Sequence, residues 1–301
     1  MSQTKIAYYP GCTLKTTAKN FEDSALAVAR ALDIELVELP KWNCCGTVYS
    51  LTDDNLMYHI APVRNLLRVK QMVRDELVTD DHRMVVLCSM CYNALKRTNL
   101  RVKENPEDLQ KINDFMYLED DDYELNVDVI HFLDLLKEIG VEKIREKVVK
   151  PLNGLKVLPY YGCMLLRPKE VGIDDPEEPN LQENILAALG AEPIDSPYRK
   201  VCCGSYLTVD NKYVVVELAY KILSHAQKAG AQALTTSCPL CAFNLDNRQK
   251  EIKEKYPGFK NIPVFYFTQL MALAFGLSNE CYGFDLHHTK PEPLLKEKQL
   301  C

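Results

Sequence analysis

Lys41-Trp42-Asn43-Cys44-Cys45-Gly46 is answered later in the same chain by Arg199-Lys200-Val201-Cys202-Cys203-Gly204. Each stretch sits inside a longer cysteine pattern. Cys12 precedes the first CysCysGly by 31 intervening residues, and Cys88-Ser89-Met90-Cys91 follows its cysteines after 42. Cys163 precedes the second by 38, and Cys238-Pro239-Leu240-Cys241 follows after 34. The approach to the first cysteine repeats too, Tyr8-Tyr9-Pro10-Gly11-Cys12 against Tyr160-Tyr161-Gly162-Cys163. Self-similarity on this scale marks an internal duplication, so the chain is read as two similar halves.

The surrounding patterns agree. Short apolar runs predict strands at residues 5–9, 34–39 and 84–87, with counterparts at 156–161, 192–195 and 233–236. Helical spacing predicts helices over 17–32, 55–77 and 129–139, answered by 181–189, 212–229 and 265–275. Strands that alternate with helices form βαβ units around a mainly parallel sheet. The expected fold is therefore α/β: two duplicated Rossmann-like βαβ half-domains with mainly parallel sheets, related by a pseudo-twofold axis. The turn-like join Lys150-Pro151-Leu152-Asn153-Gly154 divides the chain into residues 1–150 and 151–301, the second ending in a short polar tail. The halves differ by a polar insertion at 102–126 and by a Pro-, Asp- and Glu-rich stretch at 167–180.

Of the 301 residues, 47% are apolar, enough to bury a core. Thirty-six basic against 42 acidic side chains leave a net charge of −6, which speaks against nucleic acid as the main partner. The run Glu119-Asp120-Asp121-Asp122 is read as solvated loop. No stretch reaches the ~18 uninterrupted apolar residues of a membrane span. The opening residues lack the apolar core of a signal peptide, so the expected location is cytoplasmic. Twelve cysteines in a reducing compartment are not a disulfide framework, and metal is the leading explanation for them.

Ligands of open α/β sheets gather beyond the carboxyl ends of the strands. Cys12, Cys88, Cys163 and Cys238 each directly follow a predicted strand, and the paired cysteines follow others by a few residues. Each half thus brings five sulfurs to one rim of its sheet. Gly11, Gly46, Gly162 and Gly204 would let the backbone approach an inorganic core. Thiolates are soft ligands that suit zinc or iron–sulfur clusters. Structural zinc closes with four ligands, and a cubane [4Fe–4S] centre also usually takes four cysteines. On either reading the fifth cysteine is left over, or the cluster is unusual. Cys238-Pro239-Leu240-Cys241 alone resembles a redox dithiol, but two copies in matching sets favour ligation.

The twice-repeated pattern resembles the CCG domain. The whole layout, over about residues 5–280, is similar to the B subunit of the heterodisulfide reductases of methanogenic archaea. The resemblance implies two noncubane [4Fe–4S] clusters. Cys12, Cys44, Cys45, Cys88 and Cys91 would hold one, and Cys163, Cys202, Cys203, Cys238 and Cys241 the other. It implies a catalytic subunit of methanogenesis that reduces the coenzyme M–coenzyme B heterodisulfide to two thiols, one electron coming from each cluster. The chain has no Cys-x2-Cys-x2-Cys-x3-Cys-Pro ferredoxin run. The implied partners are therefore a small ferredoxin-like subunit and a flavin-bearing subunit of the heterodisulfide reductase complex. CCG proteins that lack some of these cysteines serve lactate, glycolate or fumarate-linked oxidoreductases; here every motif position is filled. The alternatives are the iron–sulfur subunit of a lactate- or glycolate-type dehydrogenase and a non-catalytic electron-relay subunit.

A substrate carrying sulfonate, carboxylate and phosphate needs cations. Lys15 and Arg167 lie just after the first cysteine of each set, and Lys41 and Arg199 lie three residues before each pair. These four are the candidate substrate contacts, against the plainer reading of solvent-screened surface pairs. Cys281 is read as a buried apolar thiol, Cys301 as a free terminal one, and His287-His288 as surface. His59, His82, His131 and His225 receive no catalytic role.

Overall fold

In the computed structural model, which describes residues 3–52, 54–80 and 82–300, the duplication is visible strand for strand. β1 (Thr4–Tyr9), β2 (Ile34–Glu38), β3 (Arg83–Val86) and β4 (Asp128–His131) form one sheet in the order β2-β1-β3-β4. β5 (Lys156–Pro159), β6 (Glu192–Pro193), β7 (Ala233–Thr236) and β8 (Val264–Tyr266) form a second, ordered β6-β5-β7-β8. All six pairings are parallel. Both halves are Rossmann-like α/β layers, as the repeated sequence predicts. The central strands are buried, with Ile6, Ala7, Tyr8 and Tyr9 of β1 and Met84, Val85 and Val86 of β3 all in the core. Parallel strands covered by crossover helices take this character.

The fourth strand of each sheet departs from the sequence reading. Residues 129–139 and 265–275 read as helix throughout, but each begins as a strand, and the helices are Phe132–Ile139 and Phe267–Ala274. Val129, Ile130, Val264 and Phe265 are all buried. A short run buried on every side has no period to separate strand from helix. The switch is marked by a repeated cap: the His131 backbone N–H donates to Asp134 Oδ2 at 3.1 Å, and that of Tyr266 to Gln269 Oε1 at 2.9 Å. A side chain three residues into the helix satisfies an otherwise unpaired amide. The polar insertion is also more ordered than its composition suggests, since helix Ser89–Glu104 runs into it and helix Pro106–Phe115 follows.

The halves pack reciprocally. Helix Lys19–Ala31 of the first lies on helix Phe267–Ala274 of the second, while Phe132–Ile139 and Val141–Glu146 lie on Leu181–Ala188. First helix on last helix, in both directions, is the pattern an isologous twofold contact produces. Phe21 stacks on Tyr266 with ring centroids 4.3 Å apart, and the Ser24 and Thr268 hydroxyls are 2.7 Å apart. The tail returns to the join, where Lys150 Nζ donates to the Leu300 carbonyl at 2.6 Å. His287, expected at the surface, is buried and lies 2.9 Å from Gln269 Nε2. The tail folds over the second half and covers it. Among the described residues no helix is long and apolar enough to cross a membrane.

Candidate metal centre

Tyr9 and Tyr160 each stand three residues before the first cysteine of their set. The Tyr9 hydroxyl donates to the Asn43 carbonyl at 2.8 Å, and that of Tyr160 to the Val201 carbonyl at 2.6 Å. Asn43 and Val201 immediately precede the paired cysteines, so a buried phenol fastens each CysCysGly loop to a strand end. Burial, then the surrounding cysteine sulfurs, pushes both phenols far above their ordinary pKa, and they stay O–H donors. Gly11 has φ +72°, and a Cβ there would lie 3.2 Å from Cys91 Sγ. At Gly204, φ +74°, a Cβ would come within 2.8 Å of Leu218. Only glycine allows the loops to close over the sulfurs in this way.

The motif cysteines are all free thiols. Cys45 Sγ lies 3.3 Å from Cys91 Sγ, and Cys203 Sγ 3.4 Å from Cys241 Sγ, the same pair in each half. Cys44 is in hydrogen-bonding reach of Cys45, Cys88 of Cys91, Cys163 of Cys202, and Cys238 of Cys241. Cys12 is close enough to raise the Cys44 pKa. Cys88 of the first set and Cys238 of the second reach each other in the buried interior between the halves. The two sulfur sets are therefore continuous.

The electrostatics suit thiolates. The Cys163 thiol holds Cys202 down at about 6, while Cys163 is itself pushed up by the same contact. Cys44 and Cys45 divide in the same sense, with Cys45 lowered by its bond from Cys44. Backbone N–H groups support the anionic sulfurs: Thr47 donates to Cys45 Sγ at 3.4 Å, and Gly204 to Cys202 Sγ at 3.3 Å. Cys238, at the N-cap of the helical turn Pro239–Ala242, is held well below its ordinary pKa by its contacts with Cys241 and Cys88. Cys88, at the N-cap of helix Ser89–Glu104, is pushed up by the contact with Cys238. Cys12 and Cys44 are exposed, whereas Cys45, Cys88, Cys91, Cys203, Cys238 and Cys241 are buried. Among the described residues no three Cys, His, Asp or Glu side chains close on a single metal-ion position. Five soft thiolates in each set are one more than a tetrahedral zinc or a cubane cluster usually takes.

Three of the four cations have other engagements. Lys15 pairs with Glu22 at 2.7 Å and Glu38 at 2.5 Å. Arg167 pairs with Glu177 at 2.9 Å. Arg199, with 14% side-chain exposure, pairs with Asp195 and lies 3.5 Å from Glu183. Lys41 alone of the four has no ion pair among the described residues, and it sits in the left-handed region at φ +51°. Cys281 is half-buried rather than in the core, its thiol donating to the Ser278 carbonyl at 3.0 Å. It lies in a short turn after the last long helix, which leaves it partly open to solvent. Cys301 lies outside the described residues.

Two supporting asparagines escaped the sequence reading. Asn244 Nδ2 donates to the Cys203 carbonyl at 3.2 Å and lies 3.7 Å from its sulfur. Asn93 Nδ2 donates at 2.7 Å to both the Met164 and Arg167 carbonyls, gripping the segment after Cys163 from the opposite half. Asn244 stands on a π-helical turn, Phe243–Asn247, whose wider winding no spacing rule anticipates.

Fold and site together define a duplicated α/β protein with one five-thiol set at the rim of each sheet. The profile of the Cysteine-rich domain (CCG) family matches residues 6–96 and 157–246, and the chain belongs to that family. It is 32% identical over 284 residues to the 8-methylmenaquinol:fumarate reductase membrane anchor subunit of Wolinella succinogenes, covering 94% of this chain and 96% of that one. It is 28% identical over 287 residues to the B subunit of the ferredoxin:CoB–CoM heterodisulfide reductase of Methanosarcina mazei, covering 93% and 92%. A crystal structure of a hypothetical protein from Helicobacter pylori shares the fold, with a TM-score of 0.75 at 13% identity. It matches 95% of this chain, which spans about half (52%) of that longer one.

Proposed function

We propose that this chain is an iron–sulfur subunit of a multi-subunit oxidoreductase, holding two clusters and reducing a disulfide. Cys12, Cys44, Cys45, Cys88 and Cys91 would hold one cluster, and Cys163, Cys202, Cys203, Cys238 and Cys241 the other. The observation that carries this reading is the meeting of Cys88 with Cys238, which joins two complete five-sulfur sets. The five-fold count favours noncubane [4Fe–4S] clusters, which when bound would supply one electron each. Splitting a disulfide to two thiols takes two electrons and two protons, matching one electron from each half. The chain's own part is to present thiolates through the loops that Tyr9 and Tyr160 fasten, and to keep water from the buried sulfurs.

The substrate proposed is the CoB–CoM heterodisulfide named for the Methanosarcina relative. The proposed partners are a ferredoxin-like subunit that delivers electrons and a flavin-bearing subunit, all cytoplasmic, with residues 1–150 and 151–301 as the two domains. Among the four candidate cations, the proposed contact with an anionic substrate group is Lys41, since the other three are already paired. A second reading, an electron-carrying subunit of a fumarate reductase, is favoured by the 32% identity to the Wolinella protein.

Iron, zinc and acid-labile sulfide analysis of anaerobically purified chain tests the first step. About eight irons with matching sulfide are expected, and stoichiometric zinc without sulfide would end the reading. Turnover of heterodisulfide with a reduced viologen dye separates the readings. Heterodisulfide reduction by the chain supports the first, whereas fumarate reduction only after partner subunits are added supports the second.

A further inference from the structure

A cleft of about 850 Å³ opens between the two halves, and no cysteine lines it. The segment after the first CysCysGly contributes Ser50 and His59, helix Ser89–Glu104 contributes Arg97 and Arg101, and the second half contributes Val171. His59 is only 4% exposed. Its Nδ1 lies 2.8 Å from the Thr98 hydroxyl, but its Nε2 has no partner among the described residues. The Ser50 hydroxyl, on the same wall, is buried and also unpartnered. Buried polar atoms are nearly always met by a partner, so two orphans on residues that line one cleft point to a polar group that meets them there.

The charges indicate which kind. Arg97 makes no ion pair or hydrogen bond among the described residues, while Arg101 reaches Asp108 at 3.1 Å and Asp54 at 3.5 Å. Burial, then the Arg101 charge, holds His59 down at about 4, so the ring is neutral. The Nδ1–Thr98 contact leaves either ring nitrogen free to carry the proton, and in the tautomer that accepts from Thr98 the unpartnered Nε2 is an N–H donor. Asp54, Glu104 and Glu170 also border the cleft, but all three are exposed at its mouth, where solvent and salt screen them. The walls are already fixed: Tyr92 donates to the Val171 carbonyl at 2.7 Å, and Asn93 holds Met164 and Arg167.

We infer that this cleft binds a small oxyanion, a carboxylate or phosphoryl group, through Arg97, Arg101, the Nε2–H of His59 and the Ser50 hydroxyl. The site takes residues from both halves, so a bound anion ties them together. It is separate from the cluster reading, because binding is measured without electron transfer.

The test is calorimetric titration of the iron-replete full chain with inorganic phosphate and, separately, with acetate. Saturable one-to-one binding of at least one anion is expected. Arg97→Met should weaken it by about tenfold or more, the worth of a charged hydrogen bond. Lys111→Met, a charge removed elsewhere on the surface, should not change it. Arg97 has no partner to lose, so its replacement leaves folding intact, and His59→Gln provides a second disruption of the same floor. Binding of phosphate alone identifies a phosphoryl ligand, and binding of acetate alone a carboxylate. No saturable binding of either, or binding that Arg97→Met leaves unchanged, overturns the proposal.

Discussion

Ser89 and Ser237 meet across the boundary between the halves: the Ser89 backbone N–H donates to the Ser237 carbonyl at 3.0 Å, and the two hydroxyls are 2.7 Å apart. Ser89 follows Cys88 and Ser237 precedes Cys238, so this pair holds the two sulfur sets in contact. Both serines are buried, out of reach of bulk solvent. Replacing either by Ala should lower stability by about 1 kcal/mol. The double variant should cost clearly less than the sum, because the second change removes a group already left without its partner. Additive costs in a urea-unfolding cycle would show that the hydroxyls do not interact.

The tyrosine fasteners should be separable from the cysteines they position. Tyr9→Phe and Tyr160→Phe each delete one hydrogen bond to the CysCysGly loop and leave the ring packing in place. A loss of about 0.5–1.5 kcal/mol is expected for each. Iron should also be lost faster to a chelator, in roughly equal measure for the two variants. Chelation kinetics unchanged from the parent protein would show that the loops hold their shape without the phenols.

Iron content distinguishes ligands from bystanders. Cys45→Ser and Cys203→Ser should each remove about half the iron. Cys281→Ser should remove none, since its thiol is bonded to the Ser278 carbonyl instead. Cys301→Ser should also leave the iron unchanged. Comparable losses from both groups of variants would undo the partition into two sets of five.

Arg199 and Lys41 occupy matched positions in the repeat but should respond differently. Arg199 is largely buried between Glu183 and Asp195, so Arg199→Met strands a carboxylate and should cost about 1–3 kcal/mol. Lys41→Met should stay within about 0.5 kcal/mol, as unpaired surface residues do. A rise in KM for heterodisulfide is expected from Lys41→Met alone, with iron content intact. An Arg199→Met protein of unchanged stability would return that residue to the candidate substrate contacts.

Acid should destabilise the protein through its buried histidines. His59 falls to about 4 in the fold against an ordinary value of 6.5, and burial holds His131 at about 3. Between those values the unfolded chain binds a proton that the native state refuses. Stability is therefore full above about pH 6.5 and declines as the pH drops through the window. His59→Gln should flatten part of this slope. The check is the difference in urea midpoint between about pH 7 and about pH 5, in the variant and the parent protein. An identical difference in both would mean that His59 takes up its proton normally.

The duplication, the parallel α/β class and the pattern of ten cysteines as two sets of five are legible in the residues alone. Each is carried by a local signal: motif text repeated in order, apolar runs alternating with helical spacing, and glycines where φ is positive. The rim position followed from placing Cys12, Cys88, Cys163 and Cys238 after strands. β4 and β8 were not legible, because a strand buried on both faces loses the alternation that identifies it. Which of the four candidate charges are paired depends on the folded chain. Lys15, Arg167 and Arg199 find carboxylates that lie 7 to 23 residues away in sequence for Lys15, 10 for Arg167 and 4 to 16 for Arg199, and no motif announces such pairings. The same is true of Cys88 with Cys238 and of Ser89 with Ser237, which are 148 or more residues apart. Contacts at that separation depend on how two finished sheets pack against each other, a global outcome that local sequence does not encode.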